Sequence, residues 1–204
     1  MSLEGKALSF GYRRKDRAVL DRVNLTLKPG ERLGLTAPSG RGKTTLCKLL
    51  AGYEKPKEGE VLLDGRPLAH GRGYCPVQMI WQHPETVVDP LMKLGDTLAE
   101  GWPVEQRVLD GLHIEPGWLE RYPTELSGGE LQRFCIARAL GPATRFLLCD
   151  EISTMLDLIT QAQIWNFLLE EAARRELGLL IVSHTPALLE RLCTRTQPLD
   201  PSPV

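Results

Sequence analysis

One stretch constrains this chain more than any other. Between the strand-like run Glu31–Thr36 and the helical run Thr44–Ala51 lies Ala37-Pro38-Ser39-Gly40-Arg41-Gly42-Lys43. Small residues let successive backbone N–H groups curl into a cradle for an anion, and a helix starting at Thr44 aims its positive end into it. The pattern fits a phosphate-binding loop, with Ala37 where the first glycine is usual. Lys43 would neutralise β- and γ-phosphate oxygens, with Thr44 and Thr45 opening the helix and the Thr44 hydroxyl placed to ligate Mg²⁺. Alanine is compact, so Ala37 matters only if that position needs a positive φ.

Such a loop joins a strand to a helix in a parallel sheet, and the rest of the chain has that texture. Phe146–Cys149 and Leu179–Val182 are short apolar runs, as expected of strands buried on both faces. Between them, 158–177 has a helical period, with Leu158, Ala162, Trp165, Leu169 and Ala172 on one face and Gly178 as its C-cap. Ser127–Leu140 is a further helix, and Gly59–Asp64 and Gln78–Gln82 are short strands. The alternating segments 7–10 and 19–27 predict antiparallel strands at the N-terminus. From His83 to about Thr124 short helical stretches (95–100, 104–112, 118–121) are separated by Pro and Gly, which predicts a small inserted helical lobe. The expected fold is a single α/β domain over 1–204. Its mostly parallel sheet, flanked by helices, has core segments 1–82 and 125–193 and an irregular tail, 194–204.

Composition narrows the function classes. The 204 residues carry 25 Lys+Arg against 26 Asp+Glu, a net charge of −1, so no basic excess is left to neutralise nucleic-acid phosphates. No apolar run is long enough to span a membrane, and MSLEGKALSF lacks the features of a signal peptide, which predicts a cytoplasmic protein. Five cysteines without a CxxC spacing argue against disulfides or structural zinc, and the four histidines (70, 83, 113, 184) have no metal-ligand spacing.

Two further motifs carry chemistry. Cys149-Asp150-Glu151 ends a buried strand with adjacent carboxylates, where Asp150 would hold Mg²⁺ and Glu151 would orient and deprotonate an attacking water. In Leu126-Ser127-Gly128-Gly129-Glu130, Ser127 and Glu130 form a capping box. A plain cap needs no glycines, and two of them cost helix stability. They leave the helix N-terminus bare enough to approach an anion.

Ser127-Gly128-Gly129-Glu130 followed by Leu131-Gln132-Arg133 resembles the signature sequence of the ATP-binding-cassette (ABC) ATPases. The resemblance covers nearly the whole chain, in family order. Tyr12 resembles the aromatic that stacks on adenine. Gln82 resembles the glutamine that reaches Mg²⁺ and the water. Asp157 ends a D-loop-like stretch, 154–157, and His184 resembles the switch histidine that contacts the γ-phosphate. The family likeness implies two such subunits paired head to tail, as a homo- or heterodimer. ATP would lie between the phosphate loop of one and the signature helix of the other, and the helical lobe would drive transmembrane permease subunits from the inner face of the membrane. Asp89-Pro90-Leu91-Met92 and Leu156-Asp157-Leu158 with Gln161-Ala162-Gln163-Ile164 resemble the oligopeptide, dipeptide and nickel importer branch.

Four features depart from the family pattern: Ala37, Ile152-Ser153 after the carboxylate pair, Thr185 after the switch histidine, and only 44 residues between Gln82 and Ser127. The short stretch after His184 is expected to lack the family's closing strands. Two other readings follow from these departures and from the lack of a membrane segment. One is a regulatory subunit paired with a more active homologue, and the other is a non-transport ABC protein in an enzyme assembly.

Overall fold

The computed structural model describes residues 1–12, 18–68, 74–154 and 156–199. His70, Met155 and the last five tail positions, about which the sequence raised expectations, lie outside the described residues.

Two sheets form the scaffold. In the first, β1 (Leu3–Phe10) sits between β2 (Leu20–Leu27) and β4 (Glu58–Leu63), and the two-residue β5 (Arg66–Pro67) follows β4. All three pairings are antiparallel, as the N-terminal alternation predicts. In the second, the order is β6 (Val77–Ile80), β7 (Phe146–Asp150), β8 (Gly178–Val182), β3 (Arg32–Thr36) and β9 (Arg195–Pro198), every pairing parallel. α1 (Lys43–Leu50) follows β3, α5 (Leu158–Arg175) joins β7 to β8, and α6 (Pro186–Leu192) joins β8 to β9.

The apolar runs are continuous because successive side chains feed different cores. Phe146, Leu148, Leu180 and Val182 point into a cluster with β3 and α1, while Leu147, Cys149, Leu179 and Ile181 pack under α4 (Gly128–Ala139) and α5. Each is essentially inaccessible to water. The segment between β6 and α4 holds only short helical pieces: α2 (Leu94–Ala99), α3 (Gln106–Gly111) and three 3₁₀ turns, at Pro84–Thr86, Pro116–Trp118 and Pro123–Glu125. The helix expected at 118–121 is replaced by the last two turns.

Three further expectations are corrected. The tail is not irregular: β9 extends the parallel sheet along β3, and Leu199 is buried with its N–H donated to the Thr36 carbonyl. An edge strand is half exposed, so β9 lacks the apolar run that marks a central one. β6 ends at Ile80, which leaves Gln82 in the loop beyond it. On α5, Leu158 is 82% exposed and Ala162 is also exposed, while Ile164, Trp165, Phe167, Leu168, Glu171 and Ala172 face inward. The helix is capped by Glu176 in the left-handed region (φ 53°), not by Gly178. Gly178 opens β8, where a Cβ would stand 2.5 Å from the Phe146 ring and 2.8 Å from the Lys28 carbonyl oxygen.

Candidate functional site

In a parallel sheet, ligands bind beyond the carboxyl ends of the strands. Here four neighbouring strands end together, and each delivers a residue singled out by the sequence: Gln82 after β6, Asp150 and Glu151 at the end of β7, His184 after β8, and the loop 37–42 after β3. Of these, Ser39, Gly40, Gly42, Gln82, Glu151 and His184 line a cleft of about 600 Å³ together with Tyr12, Lys43, Thr44 and Thr45, whereas Ala37, Pro38, Arg41 and buried Asp150 do not. Val19 also lines it. The sequence reading missed Val19 as a cleft residue; its only signal is its place immediately before β2.

The loop takes the shape its glycines allow. Gly42, the N-cap of α1, has φ 84°, and a Cβ there would lie 2.9 Å from Leu20 and 3.1 Å from the Val19 carbonyl oxygen. Ala37 is not among the described residues with positive φ, so alanine is accommodated without strain at the position of the usual first glycine. Lys43 is buried, and its ammonium donates to the carbonyls of Ala37 (2.9 Å) and Pro38 (3.1 Å). Arg41 points to solvent. The Tyr12 ring meets Phe10 edge-on at 5.1 Å, and its hydroxyl lies 3.1 Å from Thr45 Oγ1.

The carboxylates differ sharply. Asp150 is 2% exposed, and its Oδ1 has no hydrogen-bond partner. Burial pushes its pKa up, only partly offset by the Thr44 hydroxyl. Glu151 instead reaches into the cleft, its Oε1 2.5 Å from His184 Nε2 and 4.0 Å from Lys43 Nζ. Its backbone is left-handed (φ 53°), held by an N–H bond to the Val182 carbonyl. A non-glycine residue in that region costs of order 1–3 kcal/mol and persists where the surroundings fix it.

The capping box of α4 forms as expected. Ser127 Oγ accepts the Glu130 N–H, and the Glu130 carboxylate accepts the Ser127 N–H at 2.7 Å, bonds that lower the Glu130 pKa. A Cβ on Gly128 would meet open space. None of residues 127–130 lines the cleft described above. Asp157 caps α5, accepting the N–H groups of Ile159 and Thr160, and is likewise absent from the cleft.

Comparison with known proteins bears on this arrangement. Residues 20–154 match the family described as ABC transporter. The chain is 35% identical to the nickel import ATP-binding protein NikE of Rhodospirillum rubrum, over 96% of this chain and 77% of that protein. It is 34% identical to NikE of Escherichia coli, over 94% and 78%. Among solved structures, an ATP-binding subunit of an ABC transporter superposes with a TM-score of 0.84 at 25% identity, over 98% of this chain and 86% of that one. A dimeric ATP-binding cassette with ADP and Pi bound shares the fold, with a TM-score of 0.82 at 24% identity, over 97% and 94%. The chain belongs to the ABC transporter family, as one of its ATP-binding, ATP-hydrolysing subunits.

Proposed function

We propose that this subunit hydrolyses ATP–Mg²⁺ to drive import of nickel, a nickel chelate or a peptide through separate permease subunits. The observation that carries the chemistry is the convergence of Lys43, Asp150, Glu151 and His184 at adjacent strand ends. The cargo rests on likeness to the nickel import proteins.

The 37–44 loop wraps the β-phosphate with backbone N–H groups, and Lys43 exchanges its two loop carbonyls for phosphate oxygens. Tyr12, at the cleft edge, stacks on the base. Glu151 takes the proton of the attacking water, and His184 leaves Glu151 to donate to the γ-phosphate. Gln82 orients the water. The donor set suits a hard cation: the unpartnered Oδ1 of buried Asp150, the Thr44 hydroxyl and Gln82 would hold Mg²⁺ alongside phosphate oxygens and waters. A cation held by these residues would supply positive charge to offset that of the phosphate oxygens.

Ser127, Gly128 and Gly129 serve a second chain's nucleotide, because they do not line this chain's own cleft and a Cβ on Gly128 would meet open space. Asp157, at the start of α5, belongs to the same contact, and Leu158 and Ile159, 82% and 73% exposed beside it, give that chain an apolar surface. Among the described residues no helix is long and apolar enough to cross a membrane, so a permease partner supplies the channel and holds the subunit at the cytoplasmic face. The test is ATP turnover and nickel or peptide uptake in vesicles carrying the subunit with its permease. Turnover stimulated by cargo supports the assignment, and turnover without uptake of any such cargo refutes the import role.

A further inference from the structure

The signature helix and the segment after β6 are bonded in register. Gln132 Nε2 donates to the Trp81 carbonyl at 3.1 Å, and Arg138 Nη1 donates to the Val87 carbonyl at 3.1 Å. Between them, the Cys135 thiol faces the Pro84 carbonyl at 3.9 Å. The donors at 132, 135 and 138 fall on one face of α4, and the acceptors at 81, 84 and 87 repeat with the same spacing, so every rung joins residues 51 apart.

The acceptors are a continuous structural unit. Pro84–Thr86 is a 3₁₀ turn closed by the Val87 N–H on the Pro84 carbonyl, and the first rung lies one residue before Gln82. The rungs are also anchored elsewhere. Gln132 is 2% exposed, so its amide has no water to turn to. The Trp81 ring lies edge-on to Tyr53 at 5.2 Å with the Lys48 ammonium 5.3 Å from its centre, so the residue is gripped by ring and carbonyl at once. Arg138 holds Glu100, beside α2, at 2.7 Å with its other nitrogen. Burial holds the Cys135 thiol protonated, with a pKa of about 12, so it remains a donor. A shift of residues 81–87 therefore carries α4 with it, because sliding by one residue breaks all three rungs together.

We propose that Gln132, Cys135 and Arg138 form a positioning ladder that fixes Gln82 relative to Ser127–Gly129. Engagement of Gln82 in one cleft is thereby passed to the helix that serves the other. This rests on the roles given above to Gln82 and the signature residues. Neither Gln132 nor Arg138 lines the cleft; both act through Gln82.

The test uses the full subunit with its partner chains and the variants Gln132→Leu, Arg138→Met and Arg138→Lys, each with Gln82 intact and with Gln82→Ala. Losing one bond that positions a reacting group is expected to lower kcat about tenfold, with KM for ATP unchanged within about twofold. Lysine at 138 restores most of the loss. With Gln82→Ala already present, the ladder variants cost nothing more. Without nucleotide, amide hydrogen exchange quickens over residues 82–88 but not over the 37–50 loop and helix. Losses that multiply in the Gln82→Ala background, KM rising in step with kcat, or unchanged exchange over 82–88 would each overturn the proposal, as would variants that do not fold. If the unmodified subunit turned over no ATP, the site roles would fail, and exchange over 82–88 would still decide whether the ladder holds that segment.

Discussion

Glu151 Oε1 lies 2.5 Å from Nε2 of His184, across the ends of two neighbouring parallel strands. The register brings them near: Asp150 of β7 pairs with Val182 of β8, so Glu151 falls level with Ser183, one residue before His184. The left-handed turn at Glu151 then swings its carboxylate over the sheet edge instead of along it. Under the mechanism proposed above, His184 is thus paired with the group that has to be freed to accept a proton, and ATP entry and activation of Glu151 would be a single exchange of partners.

Tyr12 stands at the rim of the cleft, 58% exposed, with its hydroxyl near Thr45. If its ring stacks on the base, Tyr12→Ala removes about 1–3 kcal/mol of binding, so KM for ATP rises by about tenfold or more with little change in kcat. Tyr12→Phe keeps the ring and stays within about twofold. Steady-state kinetics on the two variants separate stacking from the hydroxyl contact.

Asp150 keeps a buried oxygen without a partner, an arrangement that costs stability. Its pKa is raised above 3.8, so between 3.8 and the folded value the native state holds the extra proton, and stability falls as pH rises through that window. Asp150→Asn removes the buried charge. It is expected to raise the nucleotide-free Tm at pH 7 by a few degrees while abolishing Mg²⁺-dependent hydrolysis. Thermal melts with and without ATP–Mg²⁺ check both halves: the variant melts higher alone and gains less from the ligand.

Glu171 on α5 is fully buried and paired with Arg107 of α3 and with Arg174. Burial raises its pKa and the two arginines lower it, and the arginines win. A depressed carboxylate stabilises the fold above its unfolded pKa, near 4.5, and loses that contribution as pH falls through the folded value. Glu171→Gln is therefore expected to cost about 2 kcal/mol at pH 7, less than a fully enclosed pair because the arginines are half exposed, with the difference from the parent shrinking below pH 4.5. Urea unfolding across pH measures it.

Much of this was legible from the chain itself, for physical reasons. The loop 37–44 is constrained by sterics that few residues satisfy, and the strands at 146 and 179 announce themselves because both faces are buried. The face of α5 was misread because its buried stripe includes Glu171, a charge tolerated only through arginines distant in sequence or a turn away. β9 was hidden because an edge strand needs few apolar residues. The pairing of Glu151 with His184 and the rungs from 81 to 138 depend on register across the sheet and on helix placement. No local pattern encodes these.

The central claim is that Glu151 is the proton acceptor for the attacking water in this subunit. Its most direct test is ATP turnover by Glu151→Gln, which keeps shape and hydrogen bonding but cannot take the proton. Nucleotide binding should be retained and kcat should fall by about 10²-fold or more, the usual size of general-base catalysis. Turnover at the parent rate by a folded, ATP-binding Glu151→Gln subunit would contradict the account.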